Sequence, residues 1–210
     1  MLNKRKVSLG LIGVGTYGST LLDGMRRAMK GPRRLPIDGI SIFDKRDGRV
    51  EPYRQENHHI ISVRCSAVEV CRHCDICVIG VNTSEINGLL CELGLQEGSG
   101  EFAQKEFLFM DGYEQGVDAD AVSCLHYGKI MFTPWVRYGC GVSGLWPFRI
   151  SRSTASVILE LLSEMGDAWI VDSHKSLQMI RATSGCSVGL LGAITAHLQQ
   201  TFMTIGLSRD

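Results

Sequence analysis

Three glycines near the start of the chain have the spacing of a phosphate-binding turn. The apolar run from Val7 to Ile12 has the length of a β-strand and leads into Gly13-Val14-Gly15-Thr16-Tyr17-Gly18, which fits the pattern G-x-G-x-x-G. An amphipathic helix is predicted next, because apolar side chains recur at helical spacing at Leu21, Leu22, Met25 and Met29. In this context the first glycine permits a tight turn, the second lets a pyrophosphate approach the backbone, and the third lets the helix pack against its strand. The free amides at the helix N-terminus would face the phosphates, so the segment predicts dinucleotide binding, with a ligand-free glycine turn as the alternative.

The second predicted strand, Ile40 to Phe43, ends in a mixed acidic and basic sequence. Asp44 stands where an acid usually accepts hydrogen bonds from the adenosine ribose of NAD, and Lys45 and Arg46 follow where cations can hold the 2′-phosphate of NADP. Asp44 lies further from the glycines than the usual distance of about 20 residues. We predict NADP as the cofactor and leave NAD open.

Further strands are predicted at residues 59–64, 75–81, 106–110 and 129–133, separated by helices or loops. Their nearly continuous apolar character indicates a sheet covered on both faces, which predicts an α/β fold with a Rossmann-like, doubly wound, mostly parallel sheet. Ligands of such sheets bind beyond the carboxyl ends of the strands. The residues expected there are Val81-Asn82-Thr83, Asp111-Gly112 and Thr133-Pro134, although ordinary strand-to-loop turns would contain similar residues.

Composition limits the class of protein. The 210 residues include 22 basic and 22 acidic side chains, so the net charge is zero and lacks the basic excess of a general nucleic-acid binder. The basic residues between Arg26 and Arg34 are interpreted as a solvated helix end and loop rather than a nucleic-acid surface. Glycines interrupt the apolar run near the N-terminus, which argues against a signal peptide, and no apolar stretch is expected to reach the roughly 18 residues that span a bilayer. The sequence predicts a soluble, cytoplasmic protein of one domain with a smaller appendage.

Three of the eight cysteines, Cys71, Cys74 and Cys77, form a C-x2-C-x2-C run that superficially resembles a metal or iron–sulfur site. The first two fall at a predicted helix from Ser66 to His73 and its end, whereas Cys77 falls on the following strand. The sequence therefore favours reduced, partly buried thiols and no metal site.

The last sixty residues have a helical pattern. A predicted helix ends at Gly166, a short strand covers Ala168 to Val171, and Asp172-Ser173 is expected to cap another helix. After Ala182-Thr183-Ser184-Gly185-Cys186-Ser187, a long helix is predicted to about Gly206. Its apolar face and its stripe of small residues indicate packing against a partner helix, which could belong to the same chain or to another subunit. The predicted domains are residues 1–150, binding NAD(P), and residues 151–210, a helical segment.

The order of these pieces resembles the pyrroline-5-carboxylate reductase family. The resemblance rests on GLIGVGTYGSTLLDGM, CDICVIGV, MFTPWVRYGCGVS and SVILELLSEMGDAWIVDSHKSLQMIRATSGCSVGLL, in that order over nearly the whole chain. It implies an NAD(P)H-dependent oxidoreductase acting on CH–NH bonds in proline biosynthesis, which transfers hydride to the C=N carbon of a cyclic imino acid, and it implies a homo-oligomer, expected to be a dimer. By position, the resemblance assigns the pyrophosphate to Gly13, Gly15, Thr16, Tyr17 and Gly18. It assigns the nicotinamide ribose to Val81-Asn82-Thr83, the nicotinamide to Thr133-Pro134, and the substrate to Ser184-Gly185 and the helix N-terminus that follows.

The chain departs from the family pattern at several of these positions. The family's Val-Lys-Pro is replaced by Val81-Asn82-Thr83, its Met-Pro-Asn-Thr-Pro by residues 130–134, and the proline of its serine–glycine–proline turn is absent after Gly185. Family members also continue beyond the position of Asp210 into further helices and an active-site loop. These departures favour, as the alternative, a catalytically impaired dinucleotide-binding homologue that acts as a sensor or subunit.

Overall fold

The computed structural model of the chain describes residues 6–55, 60–95, 100–110 and 125–204. The predicted crevice residues Asp111 and Gly112, and His59 at the start of one predicted strand, lie outside the described residues.

A mixed sheet forms the centre of the molecule. In the described ranges its strands are β1 (Val7–Ile12), β2 (Ile37–Phe43), β3 (Ile61–Val63), β4 (Ile76–Ile79), β5 (Glu106–Met110), β6 (His126–Phe132), β7 (Gly141–Trp146) and β8 (Gly166–Ile170). Their spatial order is β3-β2-β1-β4-β5-β6-β7-β8. Strands β1 to β6 are parallel, β7 is antiparallel to β6, and β8 is parallel to β7. This confirms the predicted Rossmann-like, mostly parallel α/β fold.

Helices cover both faces of the sheet. They are α1 (Thr16–Met29), α2 (Glu51–Gln55), α3 (Ala67–Arg72), α4 (Thr83–Glu92), α5 (Arg152–Ser163), α6 (His174–Arg181) and α7 (Ser187–Thr204). Serine side chains define where three of them begin, because each accepts a backbone N–H of the first turn: Ser66 before α3, Ser151 before α5 and Ser173 before α6. The predicted cap at Asp172-Ser173 is confirmed.

Strand β7 was not predicted from the sequence. Its short sequence, GVSGLW, contains two glycines, which weaken any strand pattern. It forms because its backbone pairs with β6, with Met131 opposite Gly144, and with β8, and because α6 packs over it. A Cβ atom on Gly144 would lie 2.8 Å from Leu177 Cδ1, so a larger residue there would require the side chains of α6 to shift.

The predicted domain boundary at residue 150 stays a prediction, although part of the sheet comes from beyond it. Strand β8 pairs with β7, and α5 contributes Ile158, Leu161 and Leu162 to the same buried core as β1 and β4. The first part of the predicted helical segment is therefore continuous with the sheet core.

The three clustered cysteines are buried in this core as free thiols, as predicted. Cys71 Sγ lies 3.9 Å from Cys77 Sγ, a contact distance rather than a disulfide bond. Hydrogen bonds within the cluster, first with Cys71, and complete burial raise the pKa of Cys77 well above its ordinary value. The neutral thiol of Cys77 is thereby stabilised, and it packs as an apolar side chain.

Basic residues at the end of α1 are engaged by α5 and the residue that follows it. Arg33 forms ion pairs with Glu160 and Glu164, and Arg27 donates to the Glu164 carbonyl oxygen at 3.1 Å. These contacts fasten the first helix to α5 and fit the interpretation of this segment as a structural helix end.

The described chain ends in a long exposed helix. Helix α6, a π-helical turn over Ala182–Cys186 and α7 form one continuous helix from His174 to Thr204. By length and composition alone this helix is long and apolar enough to cross a membrane, so the expectation that no segment reaches that length was wrong. Large apolar side chains of α7 are about half exposed: Leu190, Leu191, Ile194, Leu198, Phe202 and Met203.

Candidate dinucleotide site

A cavity of about 750 Å³ opens at the carboxyl ends of β1, β2 and β4. The beginnings of α1 and α4 form two of its walls. Most of the predicted cofactor residues line it: Gly13, Gly15, Thr16, Tyr17, Asp44, Lys45, Arg46, Val81, Asn82 and Thr83. The tertiary structure thus brings together three segments that are separated in sequence by about 30 residues each.

The glycines of the turn have different physical roles. Gly13 has a φ of +97°, and a Cβ atom there would lie 2.6 Å from the carbonyl carbon of Gly80 at the end of β4. A Cβ atom on Gly18 would lie 2.0 Å from the Gly13 carbonyl oxygen. Both positions therefore require glycine for the fold itself, whatever the cavity holds.

Gly15 differs, because a Cβ atom there would meet only the end of the Arg49 side chain, with Nη1 at 3.4 Å. Its φ of −71° is accessible to any residue. The fold therefore does not require glycine at this position, whereas a phosphate group brought close to the backbone would.

The N-terminus of α1 faces this cavity without a side-chain cap. Gly15 is the N-cap residue, no side chain accepts from the first turn, and that turn contains no acidic residue. Thr16 and Tyr17 line the cavity beside it. Backbone N–H groups and the positive end of the helix dipole are thus presented to the cavity, and these groups fit the pyrophosphate of a dinucleotide.

Asp44 is buried, and its carboxylate is occupied by the protein. It accepts hydrogen bonds from the Val14 amide at 2.8 Å and the Arg46 amide at 2.9 Å, and it pairs with Arg49 Nη1 at 3.2 Å. These bonds anchor the glycine turn to the end of β2, and the binding of a ribose by Asp44 stays a prediction.

Three cations surround the cavity near Asp44. Arg46 lines the cavity beside Lys45, and Arg49, at the end of a 3-10 turn over Asp47–Arg49, lies between Gly15 and Asp44. The Lys45 ammonium pairs with the Glu85 carboxylate of α4 across the cavity wall, and this hydrogen bond lowers the pKa of Glu85. The arrangement places positive charge at the end of β2, beside the glycine turn.

The predicted nicotinamide contacts Thr133 and Pro134 do not line the described cavity. Thr133 is buried, and its hydroxyl oxygen accepts the Val142 amide at 3.0 Å, which fastens the turn between β6 and β7. Pro134 begins a 3-10 turn that ends at Tyr138. Tyr17 connects the two regions, because its ring lies 6.3 Å edge-on from that of Phe132 at the end of β6.

Ser184 and Gly185 also lie outside the described cavity lining, and the local backbone differs from the expectation. The predicted free helix N-terminus at this position was wrong, because the π-helical turn continues α6 directly into α7. The Ser184 hydroxyl donates to the Ile180 carbonyl oxygen at 2.5 Å. A role of Ser184 and Gly185 toward a substrate remains a prediction.

Sequence reasoning did not single out Gly80, Arg49 or Glu85, which belong to the cavity lining. Gly80 touches Gly13, and a Cβ atom on Gly80 would lie 3.0 Å from the Gly13 carbonyl oxygen. A glycine directly after the apolar β4 was a detectable signal of this close approach. Arg49 and Glu85 gave no such signal, because exposed charges near element ends are common.

This sheet order, with an uncapped helix N-terminus at a glycine turn, defines the Rossmann class of dinucleotide-binding folds. Among solved structures, the fold is similar to that of a pyrroline carboxylate reductase from Plasmodium falciparum with NADP bound (TM-score 0.71, 16% identity, covering 99% of this chain and 73% of that one). It is also similar to a pyrroline-5-carboxylate reductase from Coxiella burnetii (0.74, 14%, 97% and 73%) and to an imine reductase from Pseudomonas sp. (0.64, 16%, 93% and 65%). At these identities the likeness is one of fold. No protein-family model and no curated protein sequence matches the chain.

Proposed function

We propose that this protein is an NAD(P)H-dependent reductase that transfers a hydride to the C=N carbon of a small cyclic imino acid, as pyrroline-5-carboxylate reductases do in proline biosynthesis. The observation that carries the proposal is the uncapped N-terminus of α1 beside Gly15. The fold would tolerate a side chain at Gly15, whereas a phosphate bound close to the backbone would not. The fold likeness to reductases of cyclic and other imines supports the same class of reaction.

The chain's own residues would bind and orient the cofactor. Amides of Gly15 to Gly18 would donate to the pyrophosphate, while Arg46 and Arg49 would face the 2′-phosphate, which favours NADP over NAD. When bound, the reduced nicotinamide supplies the hydride. Residues Val81 to Thr83, where β4 meets α4, would border its ribose, and Thr133-Pro134 and Ser184-Gly185 are proposed to complete the nicotinamide and substrate end.

We further propose that the protein is a soluble homo-oligomer, expected to be a dimer, located in the cytoplasm. The exposed apolar face of α7 supports this, because an apolar face that carries Leu191, Ile194, Leu198 and Phe202 gains stability when a second helix covers it. Burial against another copy would also account for the membrane-like composition of this helix without a membrane.

Two measurements test the reductase proposal. Calorimetric titration with NADPH and NADH should give binding to both, with NADPH the tighter ligand. Oxidation of NADPH should then follow addition of pyrroline-5-carboxylate or a related cyclic imine. Absence of coenzyme binding would refute the proposal outright, and binding without turnover of any such imine would refute the catalytic part.

A second candidate is a dinucleotide-binding homologue without catalysis, acting as a sensor or subunit. It is favoured by the hydroxyl of Ser184, which is tied to the Ile180 carbonyl oxygen within a continuous helix instead of standing at a helix N-terminus. A serine at the start of a helix would have free backbone amides beside it for a substrate carboxylate. In the continuous helix, the amides near Ser184 lie in the helix interior and not at its first turn. Tight coenzyme binding without turnover is the result that this candidate requires.

A further inference from the structure

Acidic residues share the cofactor cavity with the cations. Glu85 and Glu92 of α4 line the cavity wall opposite Lys45, Arg46 and Arg49 at the end of β2. A phosphate placed near those cations would therefore meet a carboxylate wall as well. Glu85 has a defined partner, because it pairs with Lys45.

The ion pair between Lys45 and Glu85 reduces the positive charge that is available to a phosphate. Of the three cations, Arg49 is held by Asp44 at 3.2 Å and Lys45 by Glu85. While the Lys45 ammonium is paired with Glu85, part of its positive charge is neutralised, and engaging a 2′-phosphate fully requires it to exchange the carboxylate for the phosphate. A coenzyme without that phosphate requires no such exchange.

We infer that Glu85 is a coenzyme-selectivity residue, which lowers affinity for the 2′-phosphorylated coenzyme by holding Lys45 and by placing a negative charge beside the phosphate position. The inference rests on the proposed dinucleotide binding. The Lys45 side chain is 64% exposed and that of Glu85 is 32% exposed, so the pair is close to the surface type, and its loss is expected to change binding by only roughly two- to fivefold. NADH, which lacks the phosphate, should be insensitive to the change.

The test compares the affinities for NADPH and NADH of the full chain and of Glu85→Gln, by calorimetry at low ionic strength. The variant keeps the size of the side chain and removes its charge. We expect NADPH to bind roughly two- to fivefold more tightly and NADH to bind as before. The gain should shrink as salt is added, because exposed charges are screened.

Two further variants make the test specific. In Glu85→Gln with Lys45→Ala, compared with Lys45→Ala alone, the gain in NADPH affinity should be smaller, because no ammonium is freed and only the loss of the negative charge remains. Asp47→Asn is the matched control, since Asp47 lies two residues from Lys45 and pairs with Arg54 at 3.0 Å, outside the described cavity lining. It should leave both affinities unchanged.

The outcomes separate the inference from the function on which it rests. If the unmodified chain binds neither coenzyme, the proposed function is refuted and the inference with it. If both coenzymes bind but Glu85→Gln leaves their affinity ratio unchanged, or shifts both equally, the inference alone is refuted. The same conclusion follows if the gain is undiminished by loss of Lys45 and also appears in Asp47→Asn, since it would then reflect net charge only.

Discussion

Gly15 and Gly18 offer a comparison that separates folding from cofactor binding. Both belong to the same glycine motif, but the change to alanine should affect mainly cofactor binding at Gly15 and mainly stability at Gly18. In Gly15→Ala the new methyl group meets only the flexible end of Arg49, and the backbone already has a φ that alanine adopts. Alanine is a poorer N-cap than glycine, but it lowers the entropy of the unfolded chain. These two effects oppose each other and are each about 1 kcal/mol or less.

Cofactor binding should respond much more strongly to Gly15→Ala. The methyl group would stand between the pyrophosphate and the amides of the turn, at the cost of one charge-assisted hydrogen bond of about 1.5–3 kcal/mol. This corresponds to roughly 10- to 100-fold weaker binding of NADPH. Calorimetric titration measures the affinity, and urea denaturation measures the free energy of unfolding, which should remain within about 1 kcal/mol of the unmodified protein.

Gly18→Ala is the contrasting variant. Its methyl group would lie 2.0 Å from the Gly13 carbonyl oxygen, a contact that cannot be relieved without moving α1 or the turn. We expect destabilisation of about 1–3 kcal/mol or more, together with weaker binding. A folded Gly15→Ala variant that binds NADPH within twofold of the unmodified protein would refute the assignment of this turn to the pyrophosphate.

Three further variants test other parts of the structure. Asp44→Ala removes the acceptor of the buried Val14 amide and should destabilise the fold by about 1–3 kcal/mol, which chemical denaturation measures; unchanged stability would contradict the anchoring role of Asp44. Burial, and next the neighbouring Asp23, raises the pKa of Tyr53 to about 12. Because the folded pKa exceeds the unfolded value of 10, the contribution of the Tyr53 hydroxyl to stability is complete below pH 10 and declines as the pH rises toward 12. In alkaline unfolding titrations, the stability of the unmodified protein relative to Tyr53→Phe should therefore decrease across that range. Leu198→Glu on the exposed face of α7 should convert the proposed oligomer to a monomer in light scattering and lower the melting temperature, because the apolar face is no longer covered; an unmodified chain that is already monomeric would contradict the proposed assembly.

Local sequence patterns were sufficient for much of the fold. The apolar runs of β1, β2, β4 and β5, the cap at Ser173, and the glycine turn each depend on residues within a few positions of one another. The parallel arrangement followed from the buried character of the strands. Strand β7 could not be predicted in this way, because its glycine-rich sequence gains strand structure from pairing with β6 and β8 and from α6 above it.

The sequence by itself determined that a glycine turn lies between a strand and a helix, and that acidic and basic residues follow the second strand. Only the tertiary structure decided what those residues do. Asp44 anchors Val14, thirty positions earlier, and Lys45 pairs with Glu85, forty positions later. Such partners are chosen by the packing of whole helices and strands against each other, and a side chain's type does not specify which distant group will lie within hydrogen-bonding distance of it. Ser184 illustrates the same limit, since only the continuous helix through the π-helical turn settled that its hydroxyl meets a backbone carbonyl.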